Sequence, residues 1–204
     1  MKLAIIGATG NVGQRLVAES LARGHRVTAI ARNIEGLSEW RALTRTPGDL
    51  NDSDALAELL AGHDVVISTV PFRFGDPHKL LAAVRKSRVQ RYLVVGGAGS
   101  LWAEPGVKHI NTPHFPEFAR EEASKGQVFL DVLLKDADDL EWTMLSPSAL
   151  FTAGTRTGSF RLGDDNLLVG DQGKSWISYE DYAIAMLDEV EHAKHVRQRF
   201  TVGY

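Results

Sequence analysis

Residues 5 to 13 read IIGATGNVG, with glycines at 7, 10 and 13 directly after a short apolar run. Glycines at this spacing, between a strand and the helix that follows it, make a cradle for phosphate. Gly7 permits the tight turn, Gly10 lets an anion approach the backbone, and Gly13 lets helix and strand pack closely. Thr9, Asn11 and Val12 fill the remaining positions of the loop. A helix starting near Asn11 offers free N–H groups and the positive end of its dipole to a pyrophosphate. The bland alternative is a glycine-rich turn with no ligand.

Other residues fall where such a dinucleotide would continue. The stretch RVTAIA, 26 to 31, is followed by Arg32 and Asn33. An Asp or Glu at that place suits the ribose 2′-hydroxyl of NAD, whereas an arginine suits a 2′-phosphate, so Arg32 predicts NADP(H) over NAD(H). A solvated surface arginine is the alternative. In GDLND, 48 to 52, Asp49 is placed to accept from the adenine amino group and Leu50 to pack on the ring. Asp52 and Ser53 read as a helix cap. Thr69, Val70 and Pro71 close the fourth strand, and Gly96 and Gly97 follow the fifth, at the sheet end where ligands bind.

Candidate pocket residues follow the same strand ends: Phe72 and Phe74, then Ser100 and Trp102, then His109, His114 and Phe115, then Ser146, Pro147, Ser148 and Phe151. Phe72, Trp102 and Phe151 fit a plain core as well as a pocket wall. His109 and His114 read better as ordinary loop histidines than as acids. Five residues apart in a proline-containing loop, without a carboxylate pattern, they make poor metal ligands, and no metal site is expected. The acidic residues of 117 to 139 read as a solvated helix face.

The elements that hold these positions alternate. Strands are expected at Lys2 to Ile6, Arg26 to Ala31, Leu43 to Thr46, Asp64 to Val70, Tyr92 to Val95, Trp142 to Leu145 and 199 to 203. Helical patterns run through Val12, Leu16, Val17 and Leu21 up to a cap at Gly24, then through Leu56 to Leu60 and Leu80 to Arg88. A longer one, about Pro116 to Lys135, carries Phe118, Val128, Leu130, Val132 and Leu133, and a last one covers Tyr179 to Val190. Strands apolar throughout, separated by helix-length segments, predict a Rossmann-type, doubly wound α/β fold: a parallel sheet with helices on both faces. Residues 1–204 read as a single domain. The Gly-, Asp- and Ser-rich segment of about 150 to 178 reads as a small appended C-terminal lobe on the substrate side.

Composition narrows the options. Lys plus Arg is 23 and Asp plus Glu is 26 in 204 residues, a formal charge of −3, which gives no support for nucleic-acid binding. With no cysteine, disulfides, thiolate metal sites and cysteine nucleophiles are excluded. No apolar run reaches membrane-spanning length or reads as a signal peptide, so a cytoplasmic protein, monomer or homodimer, is expected.

Taken together, GATGNVG, AR after the second strand, GDLND, STVPF, VVGGAGSL, LSPSALF and ISYEDYAIA resemble the atypical short-chain dehydrogenase/reductase group over essentially the whole chain. Within it the chain is most similar to bacterial NADH-flavin reductase-like proteins, akin to NmrA-like proteins and to flavin/biliverdin reductase B. The resemblance implies that Pro147 and Ala149 flank a nicotinamide and that Ser100 lies near the catalytic serine of short-chain reductases. The biliverdin reductase B type carries a His where Ser148 stands here, which speaks against bilin reduction by that route. Ser148 remains a candidate catalytic position.

The main short-chain reductases also use a Tyr-x-x-x-Lys pair, in which the lysine lowers the tyrosine pKa. No such pair exists in this chain; EEASK instead puts Glu121 four residues before Lys125. Ordinary alcohol dehydrogenation and sugar epimerisation lose support. Hydride transfer to a flavin, or to a flat quinone-like acceptor, needs mainly a cofactor, a stacking slot and geometry. The expected function is therefore an NAD(P)H-dependent reductase, with NADPH as cofactor and a flavin as a substrate. The alternative is a non-catalytic NmrA-like NADP(H) sensor. An isomerase or dehydratase ranks below both, for want of an acid/base pair.

Overall fold

The computed structural model describes residues 1–37 and 40–204. The first half alternates strictly. Strand β1 (Lys2–Ile6) feeds helix α1 (Asn11–Ala22), followed by β2 (Arg26–Ala31), β3 (Leu43–Pro47), α2 (Ser53–Leu60), β4 (Val65–Ser68), α3 (Pro77–Ser87) and β5 (Arg91–Val95). Local chemistry sets the helix ends. Gly24, at φ +80, follows the last turn of α1 as a left-handed glycine does. The Asp52 carboxylate accepts from the Ala55 N–H and starts α2. Asp76 does the same for α3, with Pro77 in its first turn.

The second half is less regular. A short hairpin, β6 (Trp102–Glu104) and β7 (Val107–Lys108), precedes two 3₁₀ turns and helix α4 (Arg120–Asp136). Then come β8 (Glu141–Pro147), β9 (Leu150–Thr152), β10 (Arg161–Gly163), β11 (Trp176–Ser178), α5 (Tyr179–His192) and β12 (Gln198–Gly203).

The main sheet has the order β10-β12-β8-β5-β4-β1-β2-β3. Every pairing in it is parallel except that of the edge strand β10. Both faces are covered, and strand residues alternate between them. Ala4, Ile6, Val66 and Val94 pack with Leu60, Leu80, Val84 and Phe129 on one side. Leu3, Ile5, Ile67 and Leu93 pack with Leu16, Val17, Tyr182 and Met186 on the other. This is the Rossmann-type α/β architecture. The chain leaves β1 in one direction for β2 and β3 and in the other for β4, β5 and β8, and the crevice at that switch is where such sheets bind ligands.

Three expectations change. The fourth strand stops at Ser68, which leaves Thr69 and Val70 in the loop above it. The long helix begins at Arg120, after a 3₁₀ turn at Glu117–Ala119; Leu130, Val132 and Leu133 are buried, but Phe118 is 92% exposed and Val128 also faces out. The segment of about 150 to 178 is partly continuous with the main sheet: β10 pairs antiparallel with β12, while β9 and β11 form a separate parallel pair.

Candidate functional site

The glycine loop is built as a cradle. Gly7 sits at φ +82 and its N–H reaches the Ile30 carbonyl at 2.8 Å, which pins the loop to β2. A Cβ on Gly13 would lie 2.3 Å from the Gly7 oxygen, so only glycine lets α1 start this close to β1. A Cβ on Gly7 would lie 2.5 Å from the Thr69 Oγ1, whose hydroxyl hydrogen-bonds the Gly7 carbonyl at 2.9 Å. Gly10 is the N-cap of α1, and no side chain caps the helix. Its first-turn amides thus have no side-chain cap, and no carboxylate stands in that turn. The cradle fits a pyrophosphate.

Positive charge and an aromatic ring lie just past β2. Arg32 is exposed just past β2, with its guanidinium 5.9 Å from the centre of the Phe74 ring. Arg73 lies 4.9 Å from the same ring. Asn33 shapes the turn, accepting from the Glu35 N–H at 2.9 Å. The Asp49 Oδ1 accepts from the backbone and side-chain amides of Asn51, at 2.9 and 3.0 Å, while Leu50 packs against the core beneath.

A cleft of about 850 Å³ opens over the carboxyl ends of β4, β5 and β8. Val12 brings the glycine loop to its edge. Thr69, Val70, Pro71 and Phe72 line it after β4, Gly96, Gly97 and Ser100 after β5, and Pro147, Ser148, Ala149 and Phe151 after β8. His109, His114, Phe115 and Phe118 close the outer side. The structure therefore brings most of the expected pocket residues together. Phe151 is wedged against Tyr179 and Tyr182, at ring-centre distances of 4.7 and 4.6 Å. Among the described residues that line it, Glu122 is the one carboxylate.

Ala119, just before helix α4, and Glu122, Ala123 and Gly126 within it line this cleft. Gly126 is required by packing: a Cβ there would lie 2.9 Å from the Phe72 ring. Glu121 and Lys125 are on another face, exposed and paired with each other at 3.1 Å.

A family profile described as NAD(P)H-binding matches residues 7–193. The chain belongs to the NAD(P)H-binding family. It is 38% identical to the uncharacterised protein YwnB of Bacillus subtilis (strain 168), over 99% of this chain and 98% of that one. A candidate epimerase from Bacteroides thetaiotaomicron superposes with a TM-score of 0.93 at 40% identity, covering 100% of this chain and 96% of the other. A candidate NADH-flavin reductase from Streptococcus pneumoniae TIGR4 superposes with a TM-score of 0.82 at 34% identity, covering 100% and 99%. These likenesses run the length of the chain and support membership of the atypical short-chain reductase, NmrA-like group.

Within this NAD(P)H-binding fold, several expected positions lie elsewhere. Trp102 is outside the cleft; it forms the wall of a second hollow of about 450 Å³, with the Lys108 ammonium 5.5 Å from its ring. The β6–β7 hairpin turns its side chain away. Phe74 stacks under the two arginines and Ser146 is buried in β8, so neither lines the cleft. Ser148 lines it, but its hydroxyl donates to the Val202 carbonyl at 3.0 Å. Burial lowers the pKa of His109, which keeps its ring neutral near pH 7, edge-on to Phe115 at 5.1 Å.

Glu122 corrects the reading of the 117–139 acids as a solvated face. It accepts from the Phe72 N–H at 2.6 Å and the Arg73 N–H at 3.1 Å, and so holds the loop after β4 against α4. A signal for this face was present: small residues at 119, 123 and 126 recur at helical spacing with Glu122 among them. Arg199 was also missed. It donates to the Ser100 Oγ at 2.9 Å across 99 residues, and no local pattern marks that contact.

Proposed function

We propose that the chain is an NADPH-dependent reductase that passes hydride to a flavin or a similar flat, quinone-like acceptor. The observation that carries this reading is the α4 wall of the cleft. Where a short-chain alcohol dehydrogenase presents an acidic tyrosine, this wall has Ala123, and Gly126 under the Phe72 ring, and the Glu122 carboxylate is engaged by two backbone amides. Such a wall favours a planar apolar guest over a carbonyl that must receive a proton from a side chain.

When bound, the nicotinamide nucleotide supplies the hydride. The chain's part is placement. The α1 N-terminus and the glycine loop would hold the pyrophosphate, and Arg32 the 2′-phosphate, with Arg73 and Phe74 beside it. Asp49 and Leu50 border the adenine end. Thr69 to Pro71, Gly96, Gly97, Pro147 and Ala149 would border the nicotinamide half, leaving Phe72, Phe115 and Phe151 to bound the acceptor. These rings would keep water from the contact between nicotinamide and acceptor.

The test is direct. Purified protein is mixed with NADPH and, in turn, FMN, FAD, riboflavin and simple quinones, and oxidation is followed at the nicotinamide absorbance. Turnover above the uncatalysed rate with at least one acceptor is expected. Tight NADPH binding with no turnover for any of them would sink the reading and favour a sensor.

A further inference from the structure

Ser100 is 6% exposed and lies in the cleft wall, with its back to the second hollow. From that side Arg199, on β12, donates an Nη1–H to the Ser100 Oγ at 2.9 Å. The Arg199 side chain is itself only 8% exposed, and its Nε donates to the Asp165 Oδ1 at 2.6 Å. Asp165 is held in turn, because its carbonyl accepts from the Trp102 N–H at 2.9 Å, two residues beyond Ser100. A guanidinium can only donate. The Ser100 proton therefore cannot point at Arg199, and no protein acceptor takes it among the described residues. Ser100 also lines the cleft, which leaves its hydroxyl proton free to turn toward a guest there.

We propose that Arg199, braced by Asp165, is a positioning residue that makes Ser100 a hydrogen-bond donor to a carbonyl oxygen of the acceptor. This rests on the reductase reading. Hydride brings two electrons to the acceptor as the nicotinamide is oxidised, and negative charge gathers on the acceptor's carbonyl oxygen. The Ser100 O–H stabilises that charge without giving up its proton, and water supplies the proton that completes the dihydro product. The nearby guanidinium strengthens the hydroxyl as a donor. This hydroxyl does part of the work of the missing tyrosine, by hydrogen bonding rather than by proton transfer.

The experiment compares wild type with Ser100→Ala, Arg199→Met, Arg199→Lys and the Ser100→Ala/Arg199→Met double variant. With NADPH and a simple quinone, kcat should fall roughly 10- to 100-fold in Ser100→Ala and in Arg199→Met, with NADPH affinity unchanged. The double variant should be no slower than Ser100→Ala, and Arg199→Lys should recover part of the rate. A second readout needs no nicotinamide nucleotide. The visible absorbance of 4-nitrophenol reports its ionisation, which wild type should shift to lower pH and Ser100→Ala and Arg199→Met should shift less. Additive losses in the double variant, unchanged kcat in Ser100→Ala, or a nitrophenol ionisation that wild type does not move or moves no more than the variants, each overturn the proposal. If Arg199→Met fails to fold, Ser100→Ala and Arg199→Lys carry the same comparison. Wild type that turns over no acceptor defeats the reductase reading instead, while the nitrophenol titration still judges the donor.

Discussion

The Phe72 amide and the Glu122 carboxylate meet at 2.6 Å across fifty positions of sequence, and this bond clamps the loop after β4 to the cleft face of α4. Phe72 in turn rests on Gly126 and lies 5.3 Å from the centre of the Phe129 ring. One carboxylate thus fixes an aromatic wall of the cleft. Replacing Glu122 by Ala leaves two amides without their charged acceptor and should cost about 1–3 kcal/mol. For a chain of this length that lowers Tm by about 2–4 °C per kcal/mol. Glu122→Gln keeps one acceptor and should lose less. Thermal melts, together with KM for the acceptor, check the order wild type, Gln, Ala.

Gly10 and Gly13 should separate folding from binding. A Cβ on Gly13 would meet the Gly7 oxygen at 2.3 Å and the Ala8 backbone at 2.8 Å. Gly13→Ala should therefore lose about 1–3 kcal/mol of stability as well as cofactor affinity. At Gly10 the nearest atom to a Cβ is the Gly7 oxygen at 3.3 Å. Gly10→Ala should fold nearly as well as wild type yet bind NADPH poorly, because the methyl group stands where the phosphate approaches. Melting curves and cofactor titrations of the two variants give the comparison; equal NADPH affinity in Gly10→Ala and wild type would refute the cradle assignment.

Arg32 should discriminate between cofactors. Its exposed guanidinium lies 5.9 Å from the centre of the Phe74 ring and has no carboxylate partner among the described residues. Loss of a charged hydrogen bond to a phosphate costs about 1.5–3 kcal/mol, or roughly 10- to 100-fold in Kd. Arg32→Ala should weaken NADPH by that factor and leave NADH nearly unchanged. Equal losses for both nucleotides, measured by fluorescence titration, would remove the 2′-phosphate assignment.

A buried ionic cluster below the sheet should govern acid stability. Glu189 is 4% exposed and accepts from the Arg91 guanidinium at 2.7 Å, the His195 N–H at 2.9 Å and the His195 ring at 2.8 Å. Burial alone would raise its pKa, but the His195 hydrogen bonds and the Arg91 charge outweigh that and hold it below the ordinary 4.5. A carboxylate depressed in the folded state contributes stability that is fully present above its unfolded pKa and lost as pH falls through the folded value. Tm should therefore be level above about pH 5 and decline as the pH drops below 4.5. Glu189→Ala, which strands a buried guanidinium, should cost about 3–5 kcal/mol near neutral pH. The gap between variant and wild type should narrow in acid.

The fold was legible because its signals are local. Lys2 to Ile6 and Arg26 to Ala31 are apolar runs of strand length, and both strands form at those bounds. Asp52 read as a cap and caps α2. The helix from about Pro116 was legible in its buried stripe, Leu130, Val132 and Leu133, but not in its start, because Pro116 to Ala119 can turn in 3₁₀ fashion before the α-helix takes over.

The candidate site divides along the same line. By itself the sequence determined the glycine loop, the parallel sheet and the strand ends where a dinucleotide must lie, since each follows from residue type and short-range spacing. Only the tertiary structure decided which loop side chains share a cleft. Trp102 turned into the second hollow, Glu122 reached back to Phe72, and Arg199 arrived behind Ser100 from the last strand. Periodicity says which face of an element is buried but not what it meets there. Loop residues have no periodicity, so their neighbours are set by how distant elements pack.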